Sequence, residues 1–328
     1  MQRNFKMKQT YSFLKKSIFI ILAEIVFAAL LGAVSFTYLY DSATDSLAFP
    51  NIITILFMLV LIGSVATIIA VCLKAKKVGI SHIKKTNKFI LFADAFGVIM
   101  MLIFFIYECI TSMTYMNADS KALLFFRSTR WIMSIPALGY FIIQALPKKI
   151  KRTKIVVPPY LKIIASVSVI AWCVLGIFTT YFAKHLTNPA DVTKISMMFI
   201  YAILAMFFIF EGEFENVKTR HKPYMILSFI SALAAFSFPF GMSVAKIFRA
   251  DMTWDSLSQP ELLACAAIGL YALAKMFALV STMGIVIENE HGKKHHHSSS
   301  SSKASTDKAT ANDTENAKNT EVSGSKEA

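Results

Sequence analysis

The chain has 328 residues, of which 55% are hydrophobic, and its mean hydropathy of +0.56 excludes an ordinary soluble globule in favour of a polytopic membrane protein. Its net charge of +14 is explained by topology and by anionic lipid headgroups, without any need for nucleic acid. Four cysteines, Cys72, Cys109, Cys173 and Cys265, stand singly in or beside apolar runs. They lack metal-ligand spacing and form no disulfide framework.

Apolar windows of about 19 residues predict eight membrane spans, near 17–40, 50–73, 88–110, 129–147, 158–184, 191–211, 223–246 and 261–287. The first follows a basic stretch and is too long for a signal-peptide core. The clusters Lys74 to Lys88, Lys148 to Lys154 and Lys218 to Lys222 then fall on the same side as the N-terminus. Lys and Arg are retained on the cytosolic side, so both termini are expected inside. The polar tail from about His291 cannot bury a core and is expected to be disordered. Its His295–His297 run reads as a low-complexity tract.

In chain order, the first span carries Glu24. The second offers Gly63 and Ser64 for a close helix contact. The third holds Asp94 and Glu108, each a candidate proton carrier or counterion and each also open to an interfacial ion pair. The fourth contains Phe126-Arg127-Ser128-Thr129-Arg130-Trp131-Ile132-Met133-Ser134-Ile135-Pro136. Spacings of three and four place Arg127, Arg130, Trp131 and Ser134 on one broad face, and Pro136 is expected to kink the helix. The sixth ends in Glu211, Glu213 and Glu215, which read as a solvated extension before the basic turn. The seventh carries Phe236-Ser237-Phe238-Pro239-Phe240-Gly241-Met242, a proline flanked by aromatics, more often packing than a ligand box.

The last span, Glu261 to Ile287, holds Lys275 more than ten residues from either end, roughly 18 Å of helix from the cytosolic face. An intramembrane lysine is a site hypothesis by default. A desolvated lysine is also a candidate Schiff-base former. The plain alternative is a lysine facing a wet cleft or paired with Glu24 or Asp94.

Taken together, these motifs resemble the microbial (type 1) rhodopsins over roughly residues 50 to 287. Arg127, Arg130, Trp131 and Pro136 are similar to that family's third helix. Phe238-Pro239 resembles its sixth, Ala274-Lys275 its seventh, and the turn Lys77-Val78-Gly79-Ile80-Ser81 its first interhelical turn. The resemblance implies an all-α membrane protein: residues 1–48 form the N-terminus and an extra transmembrane helix, 49–290 a seven-helix retinal-binding bundle, and 291–328 the polar tail. It implies all-trans retinal linked to Lys275 and surrounded by Trp131, Met133, Phe238, Met242 and Tyr271. It also implies a homo-oligomer in the lipid bilayer, acting in photosensing or in light-driven or light-gated ion movement.

The family's proton path is not reproduced. Its proton acceptor is replaced by Arg130, its second counterion by Tyr271 and its proton donor by Phe141, while two of its tryptophans are replaced by Ala235 and Met242. A conventional proton pump is therefore not expected. Beside Arg130, retinal is either held as a neutral Schiff base or faces another anion. Glu108, Asp94 and a chloride held by Arg127, Arg130, Ser134 and Tyr271 are the candidates. Two non-photochemical readings stay open: an opsin-related membrane scaffold, and a small-solute transporter using Lys275 with Glu24 or Asp94 as a charge relay. No enzymatic chemistry is expected.

Overall fold

The computed structural model describes residues 2–41, 46–48, 51–75, 88–115, 121–146, 149–150, 153–154, 157–183, 192–216, 221–249 and 257–298. Almost all of these are helical. α1 (Gln2–Val34) continues as a π turn (Ser35–Leu39), followed by α2 (Ile52–Lys74), α3 (Lys88–Tyr115), α4 (Lys121–Ala145), α5 (Pro159–Phe182) and α6 (Val192–Asn216). α7 (His221–Ala235), a π turn (Phe236–Phe240) and α8 (Gly241–Phe248) form one rod, and α9 covers Gln259–Ser298. Two antiparallel hairpins of two-residue strands sit in loops: β1 (Tyr40–Asp41) with β2 (Ser46–Leu47), and β3 (Lys149–Ile150) with β4 (Thr153–Lys154).

Local chemistry sets several boundaries. The Asn51 side chain accepts the Ile53 N–H at 2.9 Å and caps α2. Pro159 opens α5, where a missing N–H costs no helical bond. Pro239 lies inside the π turn of the seventh rod, a helical form that tolerates a lost ladder bond. α4, in contrast, runs through Pro136 from Lys121 to Ala145 without a change of helix type.

Seven of the eight rods are long and apolar enough to cross a bilayer. α4 is the exception, because Arg127, Arg130 and the polar residues around them dilute its apolar run. It nevertheless packs along α3 and α5. Several boundaries differ from the sequence reading: α1 begins at Gln2 rather than near residue 17, and α3 and α6 run on to Tyr115 and Asn216. α4 begins at Lys121 rather than near residue 129, and α9 continues to Ser298, into the tail expected to lack structure. The turn Lys77–Ser81, the turn residues Lys218 and Arg220 and the tail beyond Ser298 lie outside the described residues.

Residues Met1–Ile287 form one compact unit, and Glu288–Ala328 are a second. Within the first, α3 to α7 pack in chain order while α1 lies against α2 and the seventh rod. α9 is the central helix. Its apolar window is 83% buried, against 22% for α2. It meets α3 through Phe89 and Phe277 (5.6 Å between rings), α4 and α6 through the polar groups described below, and α7 through Gly269 against Ala235. Large apolar side chains such as Ile52, Ile62 and Phe199 face outward from the surrounding helices, the arrangement lipid requires.

α1 is seated by a buried seam of Leu14, Ile18, Ile21, Ile25 and Ala28 and, toward its far end, by backbone contact. A Cβ on Gly32 would collide with the carbonyl of Ser237, and one on Gly241 would lie 2.9 Å from the Gly32 carbonyl carbon. Small residues permit this approach between helices in lipid. Gly63, expected to serve such a contact, faces open space instead. Arg249 Nη1 donates to the Tyr40 carbonyl at 2.6 Å and ties the far end of α1 to α8. Gly32→Val should therefore overpack this crossing and lower stability by about 1–3 kcal/mol, whereas Gly63→Val should be neutral. Unfolding of both variants in lipid–detergent micelles checks the contrast.

Candidate functional site

Three helices, α4, α6 and α9, carry polar residues ten positions apart: Arg130 and Tyr140, Tyr201 and Glu211, Glu261 and Tyr271. Their partners keep constant offsets. Between α4 and α6 the offset is 71, for Arg130–Tyr201 and Tyr140–Glu211. Between α6 and α9 it is 60, for Tyr201–Glu261 and Glu211–Tyr271. Between α4 and α9 it is 131, for Arg130–Glu261, Tyr140–Tyr271 and Gln144–Lys275. Constant offsets mean that the three helices run parallel and in register. The residues accordingly form two polar layers, about 15 Å apart along the helix axes.

The first layer is centred on Arg130, which is 4% exposed. Its Nη1 lies 2.5 Å from Glu261 Oε1, and its Nη2 donates to the Tyr201 hydroxyl oxygen at 2.9 Å. Longer bonds of 3.3 Å reach Thr179 Oγ1 and the Trp172 carbonyl. Tyr201 also donates to Glu261. The faces of Trp172, Tyr201 and Phe104 surround the guanidinium, with ring centroids 4.2, 4.8 and 5.2 Å away. A guanidinium cannot be deprotonated in a protein, so Glu261 is its permanent counterion and this layer is electroneutral.

The single face expected for the fourth span divides in the structure. Arg127 turns to α3 and grips Glu108 with two bonds of 2.7 and 3.1 Å. Trp131, one turn on, stacks on Phe105 at 5.4 Å and donates to its carbonyl at 3.2 Å. Arg130 points inward to α5, α6 and α9. Ser134 is fully buried and donates to the Trp131 carbonyl of its own helix at 2.6 Å. The packing of α3 on one side and α5 on the other pulls residues only three apart in opposite directions.

The second layer contains Lys275, 5% exposed. Its Nζ lies 2.9 Å from Glu211 Oε1 and donates to Gln144 Oε1 at 3.4 Å. Tyr271 donates to Glu211 Oε1 at 2.8 Å and Tyr140 to Oε2 at 2.7 Å, with the two hydroxyls 3.0 Å apart. Glu211 is thus no solvated extension. It is 2% exposed and accepts from both tyrosines and the lysine. Glu213, two residues on, is half-buried, and the Glu215 side chain lies outside the described ones.

Asp94 completes this layer from α3. Gly97 packs on Phe141, whose ring is 5.4 Å from that of Tyr271, and Phe89 meets Phe277. Asp94 lies between these two contacts on α3, which places it at the depth of Lys275. It is within electrostatic reach of both Lys275 and Glu211. Its side chain is completely buried, and among the described residues neither carboxylate oxygen has a hydrogen-bond partner.

The remaining expected residues are placed elsewhere. Phe238 packs its ring on Phe36 of α1 (6.1 Å) and Phe57 of α2 (5.5 Å). Ser243–Gln259 and Ala235–Gly269 show α9 antiparallel to the seventh rod, which sets Phe238 about ten residues, or roughly 15 Å, from the level of Lys275. Met242 is fully buried in α8 and Met133 half-buried in α4. Glu24, considered as a partner for Lys275, bonds Thr67 of α2. No metal-binding cluster occurs among the described residues.

No known family model matches the chain, no curated protein matches it in sequence, and no solved structure matches it in fold. The two layers are the features of the bundle that carry chemistry. A carboxylate held by two tyrosine hydroxyls and a lysine, beside a second buried carboxylate, can exchange protons and ion-pair partners without meeting bulk water.

Proposed function

We propose that the chain is an eight-span membrane protein with both termini cytosolic, and that its second polar layer is a charge relay coupling protonation to the passage of a small solute or ion. The observation that carries this reading is the Lys275–Glu211 pair at 2.9 Å with Asp94 at the same depth. Buried ionisable groups are costly in a bilayer and mark ion and proton pathways. α4 packs between α3 and α5 with Arg130 and Gln144 turned inward and Phe125, Ile132, Ile135 and Ile142 facing outward, which supports its being the eighth span. The basic turns support the orientation. The test is uptake by liposomes containing the purified protein, with a trapped pH dye, an imposed proton gradient, and panels of amino acids, sugars, organic acids and inorganic ions. Solute-dependent proton movement that is lost in Glu211→Gln supports the reading; no such movement with any panel member sinks it.

The retinal reading is kept second because Glu211 stands where a protonated Schiff base on Lys275 would need a counterion. It asks nothing of chloride, Glu108 or Arg127. All-trans retinal added to the protein should then give a Lys275-dependent absorption band that moves in Glu211→Gln. A spectrum identical in Lys275→Ala removes this reading.

A further inference from the structure

The second layer does not balance its charges. Lys275 supplies one positive group, while Glu211 and Asp94 supply two carboxylates, all within 5% exposure or less. Tyr140 and Tyr271 are neutral donors to Glu211, and Gln144 is neutral. An excess negative charge at this depth is strongly disfavoured by desolvation and calls for one more cation. A metal ion needs several oxygen ligands. The neighbours of Asp94 one turn away on α3, Ile90, Leu91, Gly97 and Val98, have no side-chain oxygen. The oxygens of Glu211, Tyr140, Tyr271 and Gln144 are engaged with one another and with Lys275, so the cation that needs no further ligand is a proton.

We propose that Asp94 is a proton site, protonated while Lys275 is bound to Glu211, and that its deprotonation draws the Lys275 ammonium from Glu211 toward Asp94. The inference deepens the charge-relay reading by naming the ion and its carrier. The step is balanced: the Asp94 carboxylic acid releases its proton to the aqueous phase, and the ammonium exchanges one carboxylate partner for another without changing its own charge. Glu211 keeps the hydroxyls of Tyr140 and Tyr271 in both states, so the exchange never leaves it bare. Among the described residues, the charged groups that act on Asp94 are Lys275 of α9 and Glu211 of α6; Tyr140, Gln144 and Tyr271 belong to the same network through Glu211 and Lys275.

The experiment is infrared difference spectroscopy on the full chain in lipid, titrated with pH and read at the carbonyl stretch of a protonated carboxyl, with carbon-13 aspartate to assign it. The wild type should show one aspartic acid band near neutral pH that disappears on raising the pH. It should be absent from Asp94→Asn, shifted in Asp94→Glu, and lost or moved to lower pH in Glu211→Gln, where Lys275 has only Asp94 left as a carboxylate partner. If Asp94→Asn fails to fold, the isotope shift in the unmodified chain and the Asp94→Glu shift still decide the matter. A wild type without an aspartate band, or a band unchanged in both Asp94 variants, overturns the proposal. The liposome assay separates the two ideas. Solute-coupled proton movement without a protonated Asp94 removes only this inference, while a protonated Asp94 with no coupled movement removes only the carrier reading.

Discussion

Glu211→Leu is expected to destabilise the folded bundle by about 3–5 kcal/mol, the range for leaving one partner of a buried ion pair alone. The substitution deprives three groups at once: the Lys275 ammonium loses its counterion, and the Tyr140 and Tyr271 hydroxyls lose the acceptor they share. Glu211→Gln keeps a carbonyl oxygen for the tyrosines but no charge for the lysine, so its cost should be smaller. Lys275→Met should also cost less, because Glu211 retains two donors. The double variant Glu211→Leu/Lys275→Met removes the stranded charge and should be more stable than Glu211→Leu alone. Its coupling should fall among the 0.5–3 kcal/mol found for interacting neighbours. Equilibrium unfolding of the four proteins in lipid–detergent micelles measures the cycle, and strictly additive costs would falsify a direct Lys275–Glu211 pair.

This result would rest on a partnership that a linear reading could only half provide. The apolar runs announced all the helices, and Lys275 stood out because nothing apolar excuses a charge so deep in a span. Its partner did not. Glu211 precedes Glu213 and a basic turn, a pattern that ordinarily ends a helix in solvent, and only the neighbours on α4 and α9 turn it inward. Glu261 was hidden in the same way, as an acidic residue at a helix start, where the dipole alone accounts for it. A signal was available in the spacing. Arg130 and Tyr140, Tyr201 and Glu211, and Glu261 and Tyr271 repeat one interval on three spans, but an interval does not say which helices are neighbours or parallel. The central place of α9 was legible in its run of small residues, Ala264, Ala266, Ala267, Ala272, Ala274 and Ala278, which suits close packing on every side rather than a lipid face. The orientations of Arg127 and Trp131 were not legible, since helical spacing fixes which residues share a face and leaves open which neighbour that face meets.

Arg130→Leu should cost about 3–5 kcal/mol, and Arg127→Leu, three residues away, should cost less, because Arg127 is itself partly exposed. The difference follows from what each guanidinium leaves behind. Arg127 is 18% exposed at its side chain, so water reaches that pair from one side, although its loss still leaves the buried Glu108 without this partner. Removing Arg130 strands Glu261 among buried groups, ends the bond to Tyr201 and empties a cage formed by Trp172, Tyr201 and Phe104. Arg130→Lys should repair little, because an ammonium cannot form the forked bonds or lie flat on the rings. Adding Glu261→Leu to Arg130→Leu should restore part of the stability by removing the stranded carboxylate. The same variants also test the independence of the layers. Arg130 and Glu261 neutralise each other about 15 Å from Lys275, so Arg130→Leu/Glu261→Leu should leave the aspartate carbonyl titration unchanged even though it loosens the bundle. If that titration moves, the register shared by α4, α6 and α9 transmits strain between the layers, and they act as one device rather than as a structural lock stacked on a relay.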